Sequence, residues 1–318
     1  MITGILSPMV LAFVLGVLAS RLRSDLKFPD GLYQSLTIYL LVAIGIKGGY
    51  KLSIASFEEV QFPAMAAIAL CCIIPLWTYW LMRKAGKMDV NNSAALAAHY
   101  GSVSAVTFSA ALVYHDMLGV SYEGFMPTLL AIMEIPAILV AISIARIQNS
   151  GEEGASNLKE VAIELVSGKS SILLIGFLVI GYVIGKDGWE QVAPLFDTPF
   201  KGILTLFLLE AGLMAGRKLS DLRTSGLFLA GFGIIFPVLH AILGIYFGHL
   251  AGLSLGGATI LGVLAASASY IAAPAACRVA LPAANPSYYL TAALAITFPF
   301  NIIFGLPLYH YLAQVIVK

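Results

Sequence analysis

The sequence predicts an all-α membrane protein with ten transmembrane helices, arranged as a 5+5 inverted repeat with two interrupted helices. Three observations support this prediction. Of the 318 residues, 59% are hydrophobic and 11% are charged, whereas about a quarter of the residues in soluble proteins are charged. Apolar windows of about 20 residues, the length of a membrane-spanning helix, recur along the chain. Two of these windows contain dense clusters of Ser, Gly, Ala and Thr.

The apolar windows define the spans in chain order. The alternating segments of a membrane β-barrel do not occur in the sequence. The first window has no charged segment before it and is followed by Arg21 and Arg23, which favours a span over a cleaved signal peptide. The fourth and ninth spans are the interrupted ones. The ten predicted spans are 4–20, 31–50, 62–82, 91–117, 122–146, 168–186, 199–216, 225–250, 254–281 and 286–315.

A polar stretch, residues 148–169, separates a first five-helix repeat (1–147) from a second, inverted one (170–318). This linker contains apolar residues at helical spacing, which predicts a short amphipathic helix over 158–166. Those apolar residues are Leu158, Val161, Ala162 and Leu165.

Two short motifs occur once in each half. Gly45-x-x-x-Gly49-x-Lys51-Leu52-Ser53 recurs as Gly212-x-x-x-Gly216-x-Lys218-Leu219-Ser220, and Ser121-Tyr122 recurs as Ser287-Tyr288. Two matches in the same order indicate a duplication. Because a repeat of five spans has an odd number of crossings, the second copy must enter the membrane from the opposite side.

The basic residues predict the orientation. Of the 18 Lys and Arg residues, 13 lie in the loops after odd-numbered spans or in the linker. Cytoplasmic loops carry the excess of Lys and Arg. The linker is therefore predicted to be cytoplasmic and both termini to be external.

The interrupted spans are the candidate site. In a bilayer, backbone that leaves helical geometry must be buried in protein or line a wet cavity. Two such segments at corresponding places in two halves point to a transporter's binding site. The N-terminus of a half-helix suits a small anion, and free carbonyls with hydroxyls suit sodium. Ordinary helix packing is the alternative, because small residues also line membrane helix interfaces.

The candidate residues follow from these two segments and from the acidic residue of Met133-Glu134-Ile135-Pro136, since a carboxylate inside a membrane pairs with a cation, a proton or a donor. Glu210 is the other intramembrane acid, and a structural role is favoured for it. The predicted substrate-binding residues are Gly101, Ser102, Val103, Ser104, Thr107, Ser267, Ser269 and Tyr270. The predicted sodium ligands are Ser104, Glu134, Ser269 and Asn301.

Other classes of function find little support. The sequence has no His-Glu-x-x-His, no Gly-x-Ser-x-Gly and no Walker lysine, so an enzyme is not predicted. The three cysteines have neither disulfide nor zinc spacing. A net charge of +1 without a basic cluster gives no sign of nucleic acid binding.

On these residues the chain resembles the sodium-dependent bicarbonate transporter family best known from cyanobacteria. The resemblance runs along nearly the whole length and rests on the order and spacing of several segments. They are Tyr100-Gly101-Ser102-Val103-Ser104, Ser109-Ala110-Ala111-Leu112, Tyr122-Glu123, Glu134-Ile135-Pro136-Ala137, Ala265-Ala266-Ser267-Ala268-Ser269, and Arg278 with Pro282-Ala283-Ala284-Asn285-Pro286-Ser287.

The resemblance implies that the two interrupted helices cross at mid-membrane and that bicarbonate and a coupling sodium ion bind at this crossing. It implies a homotrimer in the bacterial inner (plasma) membrane that works by an elevator-like shift of a core against a scaffold, and a PII-like cytoplasmic regulator. Two features depart from the family. Its Ser-Ser-Asp-Ile pattern is here Ser269-Tyr270-Ile271, so one carboxylate is missing, and the long cytoplasmic loop is shortened to 148–169.

The predicted function is sodium-coupled uptake of bicarbonate or a similar small anion by a secondary active transporter. Two alternatives share the same site chemistry. An anion channel, or an uncoupled carrier of another small carboxylate, would not depend on sodium. A membrane-embedded sensor would bind the ligand without net flux.

We expect residues 148–169 to be cytoplasmic because of the distribution of basic residues. A cysteine placed at Gly154 should therefore resist an impermeant thiol reagent in intact cells. The unmodified chain, with its three native cysteines, gives the background. Ready labelling of the new cysteine would contradict the orientation.

Overall fold

The structure is a computed structural model that describes residues 7–149, 158–219 and 222–317. These residues form helices joined by short turns, and they contain no strand. The helices are α1 (Pro8–Arg21), α2 (Asp30–Ser53), α3 (Phe57–Lys84), α4 (Val90–Gly101), α5 (Ala105–Leu118), α6 (Met126–Glu134), α7 (Pro136–Gln148), α8 (Leu158–Ser167), α9 (Lys169–Phe196), α10 (Phe200–Lys218), α11 (Leu222–Leu250), α12 (Leu255–Ala266), α13 (Ala272–Ala280) and α14 (Pro286–Ile316).

Seven helical segments in the described chain are long and apolar enough to cross a membrane: α2, α3, α4 with α5, α6 with α7, α9, the part of α11 from Gly226, and α14. The other three predicted spans fall short for two reasons. The helices α1 and α12 are apolar but shorter than a full span. The helix α10 has 19 residues, four of them charged.

Two of the long helices bend at a glycine. Gly185 in α9 has φ +60° and Gly226 in α11 has φ +78°, a backbone conformation that glycine adopts without a Cβ penalty. The predicted sixth span ended beside the first of these bends, at residue 186. The helix continues beyond the bend to Phe196.

The amphipathic helix predicted in the linker is confirmed as α8. Val161 and Leu165 are buried, and α8 packs against α7, α9 and α13. The helix thus covers one end of the second interrupted helix. Residues 150–157 of the linker and Ser220 of the repeated glycine motif lie outside the described residues.

Two helix pairs pack closely through glycines: α2 lies along α9, and α1 lies along α10. On α2, Gly45 and Gly49 face the backbone of α9. On α10, Gly212 faces the backbone of α1 next to the Phe13 carbonyl. The repeated motif therefore marks the surface through which each helix approaches its partner, because small residues let helix backbones come close.

The partner helices contribute glycines to the same contacts. Gly181 of α9 lies against the backbone of Ile46 in α2, and Gly16 of α1 lies against the backbone of Leu209 in α10. A Cβ at either glycine would collide with a carbonyl oxygen. Each glycine-packed pair thus joins one helix from the first half of the chain to one from the second.

The interrupted helices lie among the remaining helices, where α3 packs against α4 and α7, and α11 packs against α12 and α14. Their first turns are tied to the opposite half of the chain. Asn92 in the first turn of α4 accepts a hydrogen bond from the Asn285 N–H at 2.7 Å. At the start of α12, the Ser254 N–H donates to Glu123 Oε1 at 2.7 Å. These contacts tie each interrupted helix to a turn in the opposite half of the chain.

We expect Gly212→Ala to destabilise the protein by about 1–3 kcal/mol, because the added methyl group meets backbone atoms that cannot move aside easily. Gly202→Ala is the matched control, since Gly202 lies in the same helix with nothing within 4 Å of an added Cβ. Thermal unfolding in detergent compares the two. Equal unfolding midpoints would contradict a close backbone contact at Gly212.

Candidate functional site

Both predicted interruptions are present. The helix α4 ends at Gly101, the backbone is extended at Ser102 (ψ 175°) and Ser104 (ψ 113°), and α5 begins at residue 105. In the second half, α12 ends at residue 266, the backbone is extended at Ser267 (ψ 163°), and α13 begins at Ala272. The serines favour these breaks because a hydroxyl offers the backbone a hydrogen-bond partner outside the helix.

Two of these serines cap the half-helix that follows each break. The Thr107 N–H donates to Ser104 Oγ at 3.2 Å at the start of α5. The Ala273 N–H donates to Ser269 Oγ at 3.2 Å at the start of α13. The remaining first N–H groups of both half-helices belong to a helix end with partial positive charge. The positive ends of α5 and α13 therefore lie at corresponding positions in the two halves of the chain.

The two breaks bind each other. The Ser104 N–H donates to Ser267 Oγ at 2.9 Å, and the Ser269 N–H donates to the His99 carbonyl at 2.8 Å. Ser267 Oγ also donates to the Leu264 carbonyl at 2.8 Å. All of these serines are buried. The breaks thus supply the partners that the backbone loses on leaving the helix.

A small cavity lies beside this crossing. The space open to the centre of a water molecule in this cavity is about 20 Å³. This is enough for one water-sized particle. The lining comes from both interrupted helices and from α2, α6 and α9. It consists of Leu41, Val103, Ser104, Ala105, Glu134, Ser170, Ser269, Tyr270, Ile271 and Ala272.

Two polar groups in this cavity have no hydrogen-bond partner within the described chain: Glu134 Oε2 and the Tyr270 hydroxyl. Glu134 is only 7% exposed. A carboxylate in a membrane interior is costly without a cation or a donor. No three His, Cys, Asp or Glu side chains of the described residues cluster to hold a metal ion. A cation here would therefore meet one carboxylate and neutral oxygens, a donor set for a hard ion such as sodium.

Five of the predicted site residues line the cavity, and the others support it. Ser102 Oγ donates to the Glu134 carbonyl at 2.8 Å. This bond serves the backbone next to the bend at Ile135, where Pro136 begins α7 and has no N–H to donate. Gly101 lets α4 approach Pro75 and Ala137. The Thr107 N–H donates to Ser104 Oγ, and Ser267 Oγ accepts from the Ser104 N–H.

Asn301 lies near the break but is not among the residues that line the cavity. Its Nδ2 donates to the Ala266 carbonyl at 2.9 Å, and its Oδ1 accepts from the Tyr309 hydroxyl at 2.6 Å. The amide thus holds the last carbonyl of α12, which is one residue before the break.

Five lining residues were not among the predicted site residues: Leu41, Ala105, Ser170, Ile271 and Ala272. Leu41 and Ser170 belong to α2 and α9 and reach the crossing only through the packing of distant helices. His99 takes part in the crossing through its backbone carbonyl. Its ring is engaged elsewhere, since Nδ1 donates to the Ala95 carbonyl at 2.6 Å and the ring stacks on Tyr289.

Comparison with known proteins identifies a family. The model of the Na⁺-dependent bicarbonate transporter superfamily matches residues 8–314. The match covers nearly the whole chain, so the chain belongs to this superfamily. A search of curated proteins found no match.

We expect Ser267→Ala to destabilise the protein, because it leaves the Ser104 N–H buried without a partner at a cost of about 1–3 kcal/mol. Ser109→Ala is the matched control. Ser109 is also buried, but its hydroxyl donates only to the Ala105 carbonyl in its own helix. The measurement is the thermal unfolding midpoint. If Ser109→Ala lowers the unfolding midpoint as much as Ser267→Ala does, the contact between the breaks has no special role in stability.

Proposed function

We propose that this member of the Na⁺-dependent bicarbonate transporter superfamily is a secondary active transporter that takes up bicarbonate, or a similar small anion, together with sodium. The observation that carries the proposal is the unpartnered carboxylate oxygen of Glu134 in a cavity where two broken helices meet. This oxygen gives a cation one negative charge, and the helix N-termini give an anion partial positive charge.

Glu134, Ser104 and Ser269 are the proposed sodium ligands from side chains. All three line the cavity, whose size suits a single small ion. Asn301 contributes by holding the Ala266 carbonyl. The residue at the position of the family's second acid is Tyr270, whose hydroxyl brings no charge. We therefore propose one coupling cation, with Glu134 as its only side-chain countercharge.

The anion is proposed to bind at the first turns of α5 and α13. Ala105 and Ala272, the first residues of these half-helices, both line the cavity. The substrate-binding set is thus Gly101 to Ser104 and Thr107 from the first half, with Ser267, Ser269 and Tyr270 from the second. Ser102 and Ser267 act in it by shaping the backbone of each break.

An elevator-like mechanism on a 5+5 inverted repeat is consistent with the packing. The glycine-packed pairs α1 with α10 and α2 with α9 exchange places if the first five spans are superposed on the last five. These four helices form the proposed scaffold, and the helices around the two breaks form the proposed core. Side chains, rather than interlocked backbones, separate the two groups, and packed side chains can slide by small steps.

Assembly and regulation are carried over from the resemblance, and the orientation rests on the distribution of basic residues. We propose a homotrimer in the bacterial inner membrane with both termini external. A PII-like protein is the proposed cytoplasmic regulator, and the linker is the segment that it would contact.

We expect Glu134→Gln to abolish the sodium dependence of anion uptake, because the amide leaves the cation without a countercharge. Tyr270→Asp should raise the apparent sodium affinity by adding one. The measurement is uptake of labelled bicarbonate into proteoliposomes at fixed bicarbonate concentration over a range of sodium concentrations.

Glu210→Gln is the matched control for Glu134→Gln. Glu210 is a second buried carboxylate with an unpartnered Oε2, but it does not line the cavity. A wild-type sodium response in Glu134→Gln would show that the cation is held without this carboxylate. Wild-type uptake that does not depend on the sodium concentration would favour a channel. Binding of the anion without uptake would favour a sensor.

A further inference from the structure

The small cavity at the crossing adjoins a larger one. The second cavity has a volume of about 240 Å³, and three residues line both: Ser170, Ile271 and Ala272. These residues form the wall between the two spaces. We call them the neck.

The larger cavity lies on the side of the linker. Its walls come from α2, α8, the first turn of α9 and α13, including Tyr33, Glu164 and Ala275. Gln34 and Lys169 are exposed at its rim, so the cavity reaches the surface of the protein. It is wide enough for a small anion and its first waters, whereas the crossing cavity is not.

The opposite side of the crossing carries two exposed ion pairs. Lys47 of α2 pairs with Asp197 at 2.7 Å, and Lys201 of α10 pairs with Asp116 of α5 at 3.5 Å. A cavity of about 60 Å³ lies between these groups, and one of about 870 Å³ extends from Lys47 and Asp197. Neither cavity shares a lining residue with the crossing cavity. The linker-side cavity, which shares three, is therefore the one that adjoins the crossing.

Size makes the neck decisive. The crossing cavity holds one water-sized particle, but bicarbonate has four heavy atoms. The anion can enter the crossing only if this cavity enlarges and the neck beside it widens. Ala272 has little side chain to move, and Ser170 is held on helix α9. Ile271 is the largest side chain of the three, and it occupies the last residue of the break, directly before α13.

We propose that Ile271 is an apolar gate between the linker-side cavity and the crossing, and that the size of its side chain limits the size of the anion that passes. This inference rests on the proposed function, because it assumes that an anion travels this route. The side chain closes the neck with four carbon atoms and offers no hydrogen bond to retain an ion there. Rotation of this side chain opens the neck without moving a helix.

The first experiment measures labelled bicarbonate and labelled butyrate uptake into proteoliposomes under a sodium gradient. Butyrate has six heavy atoms against the four of bicarbonate, so the wild-type neck should exclude it by size. Ile271→Ala should therefore raise the ratio of butyrate to bicarbonate uptake by at least about fivefold. Ile271→Phe should lower uptake of both. Ile172→Ala is the control, because Ile172 is 56% exposed on α9 and lines neither cavity. A ratio in Ile271→Ala equal to that of the wild type overturns the gate.

The second experiment does not depend on transport. In a chain whose Cys71, Cys72 and Cys277 are replaced by alanine, Ser269→Cys places a thiol in the crossing cavity. The rates of its modification by a small and a bulky methanethiosulfonate are compared. Ile271→Ala should raise the rate for the bulky reagent relative to the small one by at least about fivefold, because truncation removes the obstacle. Thermal unfolding shows that each variant is folded.

The two experiments separate the two proposals. A wild-type protein that takes up no anion, but whose bulky-reagent rate rises in Ile271→Ala, refutes the proposed function and retains the gate. If the wild-type protein takes up bicarbonate with sodium, but neither the thiol modification rates nor the ratio of butyrate to bicarbonate uptake changes with residue 271, the function is retained and the gate is refuted.

Discussion

The need to satisfy backbone polar groups away from water governs this structure. Each break in a helix frees N–H and carbonyl groups that lipid cannot bind. Here the two breaks serve each other, through the Ser104 N–H with Ser267 Oγ and the Ser269 N–H with the His99 carbonyl. Because each break needs the other, neither is stable alone. The crossing therefore fixes the positions of both half-helix N-termini and of the cavity beside them.

The polar groups that take no part in this pairing lie in the crossing cavity, where we propose that ions bind. The serine hydroxyls around the crossing form hydrogen bonds with backbone groups, as the Ser102 hydroxyl does with the Glu134 carbonyl. The Glu134 carboxylate and the Tyr270 hydroxyl keep an unpartnered atom in the cavity. A buried polar group without a partner costs about 1–3 kcal/mol. That cost is offset when an ion or a water occupies the cavity, so these two groups favour the occupied state.

The packing around the site is of two kinds. Glycines join α1 to α10 and α2 to α9 through close backbone contacts, and a single methyl group would disturb them. The helices around the breaks meet the glycine-packed pairs through side chains and through the exposed ion pair of Lys201 with Asp116. Exposed ion pairs stabilise by at most about 1 kcal/mol. A rigid frame thus adjoins a set of helices that are held less firmly.

The sequence by itself determined the helical class, both interrupted spans, the linker helix α8 and the glycine motif, because apolar length, small polar clusters and residue spacing are local properties of the chain. It also pointed to Ser104, Glu134, Ser269 and Tyr270, since polar groups in apolar segments are conspicuous, and to Val103 between two of the clustered serines. Only the tertiary structure decided that Asn301 holds the Ala266 carbonyl and that Ser170 and Ile271 line the cavity. Those roles depend on which distant helices pack together. The spacing of hydrophobic residues along the chain shows that a helix face is buried, but it does not show which helix that face contacts.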